Sequence, residues 1–302
     1  MREITVATVQ MKPDLGEVED NLVKMSDFVS KIASQQKVDM IVFPELATSG
    51  YEMGVKFTEV AQVIPGPTVN LLSQRAQELG VYIAFGMVAK EKVESILYNT
   101  AVLLGPDGEL IGEYHKTHLK GEERMAFREG YKIPTFETEF GNIGLMLGWD
   151  LTFPEVARSQ VLEGAELLCV LANWEKEDID EWKTYLKARA YENACFVAGA
   201  NRVGEDVTIE FGGESMIVGP RGKVYAHLPG EETPEAKKEE EKKAEGAEAE
   251  KKEEKKEKPK TQALEGYAVA RIDLDDIRKH REKRQMIQTR QPASYRALVR
   301  KY

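Results

Sequence analysis

Polar side chains at the ends of apolar strands are where α/β chains carry out chemistry, and this sequence places a carboxylate, an ammonium and a bare turn at such ends. Glu45 follows the apolar run MIVFP directly, so its carboxylate emerges from a buried strand. Lys116, in GEYHKTHLKGEERMAFREG, ends the second strand of a hairpin. The stretch GNIGLMLGWDLTFPE, Gly141 to Glu155, reads as a buried strand, a sharp turn and the first turn of a helix. The tip of that turn, where an enzyme places a nucleophile, is Gly148. Each position taken singly also has an ordinary explanation: a surface or capping glutamate, a strand-end lysine, a glycine that marks a bend or a close approach. Cys169 and Cys195 fall inside the apolar runs ELLCVLAN and NACFVAGAN and read as core thiols, not as substitutes for a residue at 148. No Gly-x-Ser-x-Gly elbow is present.

The elements that must position these residues alternate strand and helix. ITVATVQM is a strand, and residues 19–33 carry Leu22, Met25, Phe28, Val29 and Ile32 at helical spacing. VDMIVFPE is a short strand of the kind buried on both faces. A helix over about 69–79 ends at Gly80, VYIAFGMV is a strand, and NTAVLLGPDGELIGEYHK is a pair of strands joined at Gly-Pro-Asp-Gly. The order then repeats, with GNIGLMLG, FPEVARSQVLEG, AELLCVLAN, DEWKTYLKARAYENA, CFVAGANRV and the hairpin GESMIVGPRGKVYAHL. Two halves of the form strand–helix–strand–helix–strand–hairpin imply an internally duplicated α/β unit. The economical packing is two sheets face to face with helices outside, a four-layer α-β-β-α sandwich. A single doubly wound sheet is the alternative.

The chain reads as one domain over 1–302, interrupted at about 229–263. From Pro229 to Ala263 there is no aliphatic residue larger than Ala and no aromatic, and residues 231–260 hold 12 Glu and 10 Lys. Such a segment buries nothing and reads as a solvated surface insertion, with Glu239/Lys243 and Glu248/Lys252 spaced to favour transient helix. Docking of a partner is the other use for it. Residues 285–302, ending in RQPASYRALVRKY, read as an arm that lies on a second subunit.

A net charge of −10 gives no basic face for nucleic acid. His115, His118, His227 and His280 are scattered, without CxxC or HExxH spacing, so no metal site is expected. No apolar run is long enough to span a membrane. The first strand begins at once, without the basic and apolar regions of a secretory leader, and the two cysteines sit in apolar runs. A cytoplasmic protein is the expectation.

Four segments in order, VFPELATSGY, YHKTHLKGEERMAFREG, LGWDLTFPE and KARAYENACFVAGANRVG, resemble the nitrilase superfamily of carbon–nitrogen hydrolases. The resemblance runs from residue 3 to about 228 and resumes at about 265. It implies the duplicated α-β-β-α sandwich, assembly into homodimers or larger homo-oligomers, hydrolysis of a small amide or carbamoyl C–N bond, and no metal or organic cofactor. It sets Glu45 at the family's general base, Lys116 at the lysine that stabilises the oxyanion, and Glu123 at a second glutamate that positions substrate and lysine. The chemistry fits those places, since a desolvated carboxylate rises towards neutrality and an ammonium aimed at a developing oxyanion stabilises it. The fourth place departs: the family has a cysteine where this chain has Gly148, although Trp149, Asp150, Phe153, Pro154 and Glu155 all match.

Without a thiolate there is no thioester intermediate by the family route. The expectation is an amidase-type scaffold that is catalytically dead or severely impaired; a non-catalytic binding or regulatory protein on the same scaffold is the alternative, and a purely structural subunit a third. Tyr51, Phe127, Trp149 and Trp174, with Asn173, are expected to wall a compact pocket for a small acyl group, each having a place in the core as its other explanation.

Overall fold

The computed structural model describes residues 2–91, 96–231 and 263–300. The first half runs β1 (Glu3–Gln10), α1 (Val18–Gln35), β2 (Met40–Val42), a short α2 (Phe57–Val60), α3 (Pro67–Leu79), β3 (Tyr82–Lys90) and the hairpin of β4 (Leu97–Leu104) and β5 (Leu110–His115). After α4 (Glu123–Ala126) and β6 (Thr135–Thr138), the second half runs β7 (Gly141–Leu147), α5 (Pro154–Leu162), β8 (Ala165–Ala172), α6 (Ile179–Asn193) and β9 (Phe196–Asn201). A small hairpin of β10 (Val203–Glu205) and β11 (Glu210–Gly212) precedes β12 (Ser215–Val218) and β13 (Val224–Leu228). Then come β14 (Gly266–Asp273) and α7 (Asp275–Arg284).

The strands form two six-stranded sheets, ordered β14-β1-β2-β3-β4-β5 and β13-β12-β9-β8-β7-β6. Each has three parallel strands at its centre (β1-β2-β3 and β7-β8-β9), an antiparallel hairpin on one side and one antiparallel strand on the other. The duplication legible in the sequence is therefore a duplication of topology, and two sheets replace the single-sheet alternative.

Alternation along the strands explains the layers. Val6, Met40 and Val42 of the first sheet and Leu145, Leu147, Leu167 and Cys169 of the second share one buried cluster between the sheets. The opposite faces of the same strands, Val9 and Ile41, meet Met25 and Val29 of α1 and Leu72 of α3. Leu168 and Val170 meet Val156 of α5 and Trp182 and Leu186 of α6 in the same way.

Some details differ from the sequence expectation. The second long helix begins at Pro67, because a proline preset at φ near −65° starts a helix well. β6 and the β10–β11 hairpin were not expected, being three or four residues long and mostly polar, so that pairing with a neighbour alone makes them strands. The interruption at 229–263, with Glu239, Lys243, Glu248 and Lys252, lies almost wholly outside the described residues; its flanks Glu231 and Ala263 are antiparallel bridge partners. The end of the chain makes two short 3-10 turns, Pro292–Ser294 and Arg296–Val299, with Leu298 and Val299 exposed. No helix among the described residues is long and apolar enough to cross a membrane.

Candidate active site

Glu45 reaches its position because the chain stays beside β3 after β2 ends. Phe43 N donates to Ala84 O and Gly86 N to Pro44 O, each as in a continued ladder. Gly86 is required here, since a Cβ on it would lie 2.5 Å from Leu46 N and 2.7 Å from Glu45 Cα. Lys116 follows β5 immediately and keeps the hairpin ladder going, its N donating to Asn99 O. Glu123 is the first residue of α4, and its Oε2 accepts from Lys120 N at 2.8 Å, closing the loop between them.

These three side chains meet. Lys116 Nζ donates to Glu45 Oε1 at 2.7 Å and to Glu123 Oε1 at 2.6 Å, with all three side chains at most 3% exposed. Asn99 Nδ2 donates to Glu45 Oε1 at 2.7 Å, and the backbone N of Asn173 donates to Glu45 Oε2 at 3.1 Å. Burial pushes the Glu45 carboxyl up to about 7; the Lys116 ammonium works against that rise and Glu123 adds to it. Burial disfavours the charge on Lys116, but the Glu123 and Glu45 carboxylates outweigh it and hold the ammonium above its ordinary range. The result is a proton acceptor poised near neutrality beside a fixed cation.

Gly148 is the point on which this group converges. It follows β7, at φ +43°, and opens a 3-10 turn that leads into α5. A Cβ there would press on Glu45 Oε2 and lie 3.1 Å from Lys116 Nζ. The turn is pinned by Asp150, which is fully buried. Its Oδ1 accepts from Thr117 Oγ1 at 2.8 Å and His118 N at 2.9 Å, and lies 2.8 Å from His118 Nδ1. Its Oδ2 accepts from Tyr114 OH at 2.7 Å and Leu147 N at 3.3 Å. One carboxylate thus fastens the Gly148 turn to the segment that carries Lys116. Neither Asn99 as a partner of Glu45 nor the Asp150 network is legible in the sequence. Asp150 stood inside a recognised motif, whereas nothing in NTAVLL marked Asn99 as a partner of Glu45.

Of the residues expected to wall a pocket, Tyr51, Trp149, Asn173 and Trp174 do surround a cavity of about 30 Å3 together with Glu45, Lys116 and Gly148. Both polar atoms of the Asn173 side chain are buried without a hydrogen-bond partner. Trp174 is also core, its ring 5.7 Å from that of Trp182. Phe127 does not line that cavity. Its ring packs 4.7 Å from Phe57 in a buried apolar cluster with Leu46 and Leu119, where a large aromatic ring is more favourably placed than in a polar niche. Both cysteines are fully buried; burial holds the Cys169 thiol far above its ordinary range and pushes Cys195 up to about 12, so neither has the lowered pKa of a reactive thiolate.

The chain belongs to the carbon–nitrogen hydrolase family, whose model matches residues 5–235. A probable nitrilase of Schizosaccharomyces pombe is 44% identical over 229 residues, 75% of this chain and 84% of that protein. A 2-oxoglutaramate amidase of Bacillus subtilis is 34% identical over 230 residues, 76% of this chain and 87% of that one. The crystal structure of a carbon–nitrogen hydrolase from Helicobacter pylori G27 shares the fold with a TM-score of 0.80 at 21% identity, covering 99% of each chain.

Proposed function

We propose that this protein is an amidase-type carbon–nitrogen hydrolase scaffold that binds a small amide or carbamoyl compound and, as written, cannot run the covalent reaction of its family. The observation that carries the reading is the convergence of Glu45, Lys116 and Glu123 on residue 148. Glu45 is the general base, Lys116 the oxyanion stabiliser, and Glu123 the group that fixes Lys116 and its loop. The unpartnered donor and acceptor of Asn173 suit the acceptor and donor of a primary amide. Position 148 is that of the nucleophile, and glycine there removes the atom that would form the acyl intermediate. In hydrolases, removing a nucleophile lowers turnover on the order of a millionfold.

The test is Gly148→Cys. The variant should release ammonia from a panel of small amides while the parent chain does not. A variant that turns over nothing, while the parent binds amides, would favour the second reading, a binding or regulatory protein. That reading is motivated by Gly148 itself. We also propose self-association through the 285–302 arm, supported by its exposed Leu298 and Val299. Light scattering that returns a monomer near 34 kDa would refute it.

A further inference from the structure

Two cavities meet at the site. Beyond the inner one lies a second of about 400 Å3, and the two share Tyr51, Lys120 and Glu175 as walls. That outer cavity is large enough for the far end of a substrate whose amide sits against Glu45 and Lys116.

The charges around it are unbalanced. Lys120 is the one cation among the described residues that line the outer cavity, and it is already paired, 2.8 Å from Glu175 Oε1 and 3.9 Å from Asp178 Oδ2. Carboxylate oxygens of Glu175, Glu177 and Asp178 lie within 4.8 Å of one another. Glu122 is exposed in the cavity wall, and Glu52 lines it too, held by the backbone N–H groups of Val207, Thr208 and Ile209. Four carboxylates, those of Glu52, Glu122, Glu123 and Glu175, therefore line the outer cavity against one paired ammonium. Low-dielectric walls focus such a field, attracting cations and repelling anions.

We propose that the substrate is a small amide or carbamoyl compound whose far end carries a positive charge, an amine or a guanidine, received by Glu175 and Glu122. This rests on the amide-binding reading above and narrows it. It also separates the chain from its relative named for 2-oxoglutaramate, a substrate whose far end is a carboxylate.

Three probes of matched length decide the matter: 5-aminopentanamide, pentanamide and glutaramate, with a cationic, neutral and anionic far end. Their binding to the full chain is measured by calorimetry at low and high salt. The cation should bind best and the anion worst, on the order of tenfold or more apart. The spread should shrink near ~1 M salt, where the Debye length is about 3 Å. In Glu175→Gln and, at an exposed carboxylate, Glu122→Gln, the ratio of 5-aminopentanamide to pentanamide affinity should fall severalfold. Glutaramate binding as tightly as 5-aminopentanamide, or a ratio unmoved in both variants, overturns the inference while leaving the amide site standing. Failure of all three probes to bind overturns the amide-binding reading and this inference with it.

Discussion

At the scale of single residues, the site is a contest between burial and pairing. Glu45 sits in a water-poor niche with one cation shared between two carboxylates, and burial wins, pushing its carboxyl up to about 7 from an ordinary 4.5. A carboxyl raised on folding stabilises the fold fully below its unfolded value and loses that contribution as pH rises through its folded value. Thermal melts from pH 4.5 to 8 should show this loss, and Glu45→Gln should flatten that part of the profile. Profiles that superimpose would refute the assignment. Gly148→Cys carries a separate, structural effect. An L side chain at φ +43° is strained, and Glu45 must give way to its Cβ. A stability loss of about 1–3 kcal/mol is expected by urea unfolding even as activity appears. Asp150→Ala is expected to lose more, about 3–5 kcal/mol, since it leaves several donors buried and unpaired.

At the scale of elements, two junctions hold the site in register. β2 delivers Glu45 only because Gly86 of β3 lets the backbones touch. Gly86→Ala should destabilise by about 1–3 kcal/mol through overpacking and should weaken amide binding, because Glu45 is displaced with its backbone. A variant that binds amides like the parent would show that the close approach does not matter to the site. The second junction ties the Tyr51 loop to the 206–209 turn. Asp206 accepts from Tyr51 N and Glu52 N while pairing with the buried Arg202, whose guanidinium also lies 4.1 Å from the Phe211 ring centroid. The turn answers with its own backbone N–H groups on Glu52. Through this exchange the second half of the chain fixes a wall of the cavity that the first half builds.

At the scale of the whole molecule, the two sheets and their outer helices bury apolar residues on both faces of the central strands. The Glu/Lys-rich interruption lies between residues that are already neighbours, Glu231 and Ala263, with Leu264 N bonded to Gly230 O. Replacing 232–262 by a short Gly-containing turn should therefore leave the fold intact. Shortening a loop to that extent favours the folded state by roughly 1–2 kcal/mol. A melting temperature unchanged or slightly raised is the expected result, and a collapse of the cooperative transition would show that the segment is needed for folding.

The sequence by itself determined the duplication and the strand ends bearing Glu45, Lys116 and Gly148, because those follow from local periodicity, turn residues and ordered motifs, and it left one sheet or two open until the strands paired. Tertiary structure alone decided which of these side chains touch. Asn99 and the backbone N of Asn173 reach Glu45 from 54 and 128 residues away. Phe127 turned into the core while Asn173 kept an unpaired amide at the cavity wall. The carboxylates around the outer cavity are drawn from three separate loops, and their summed field exists only once the chain has closed on itself. Periodicity records which face of an element is buried, whereas hydrogen-bond partners and local fields depend on distances that no local pattern encodes.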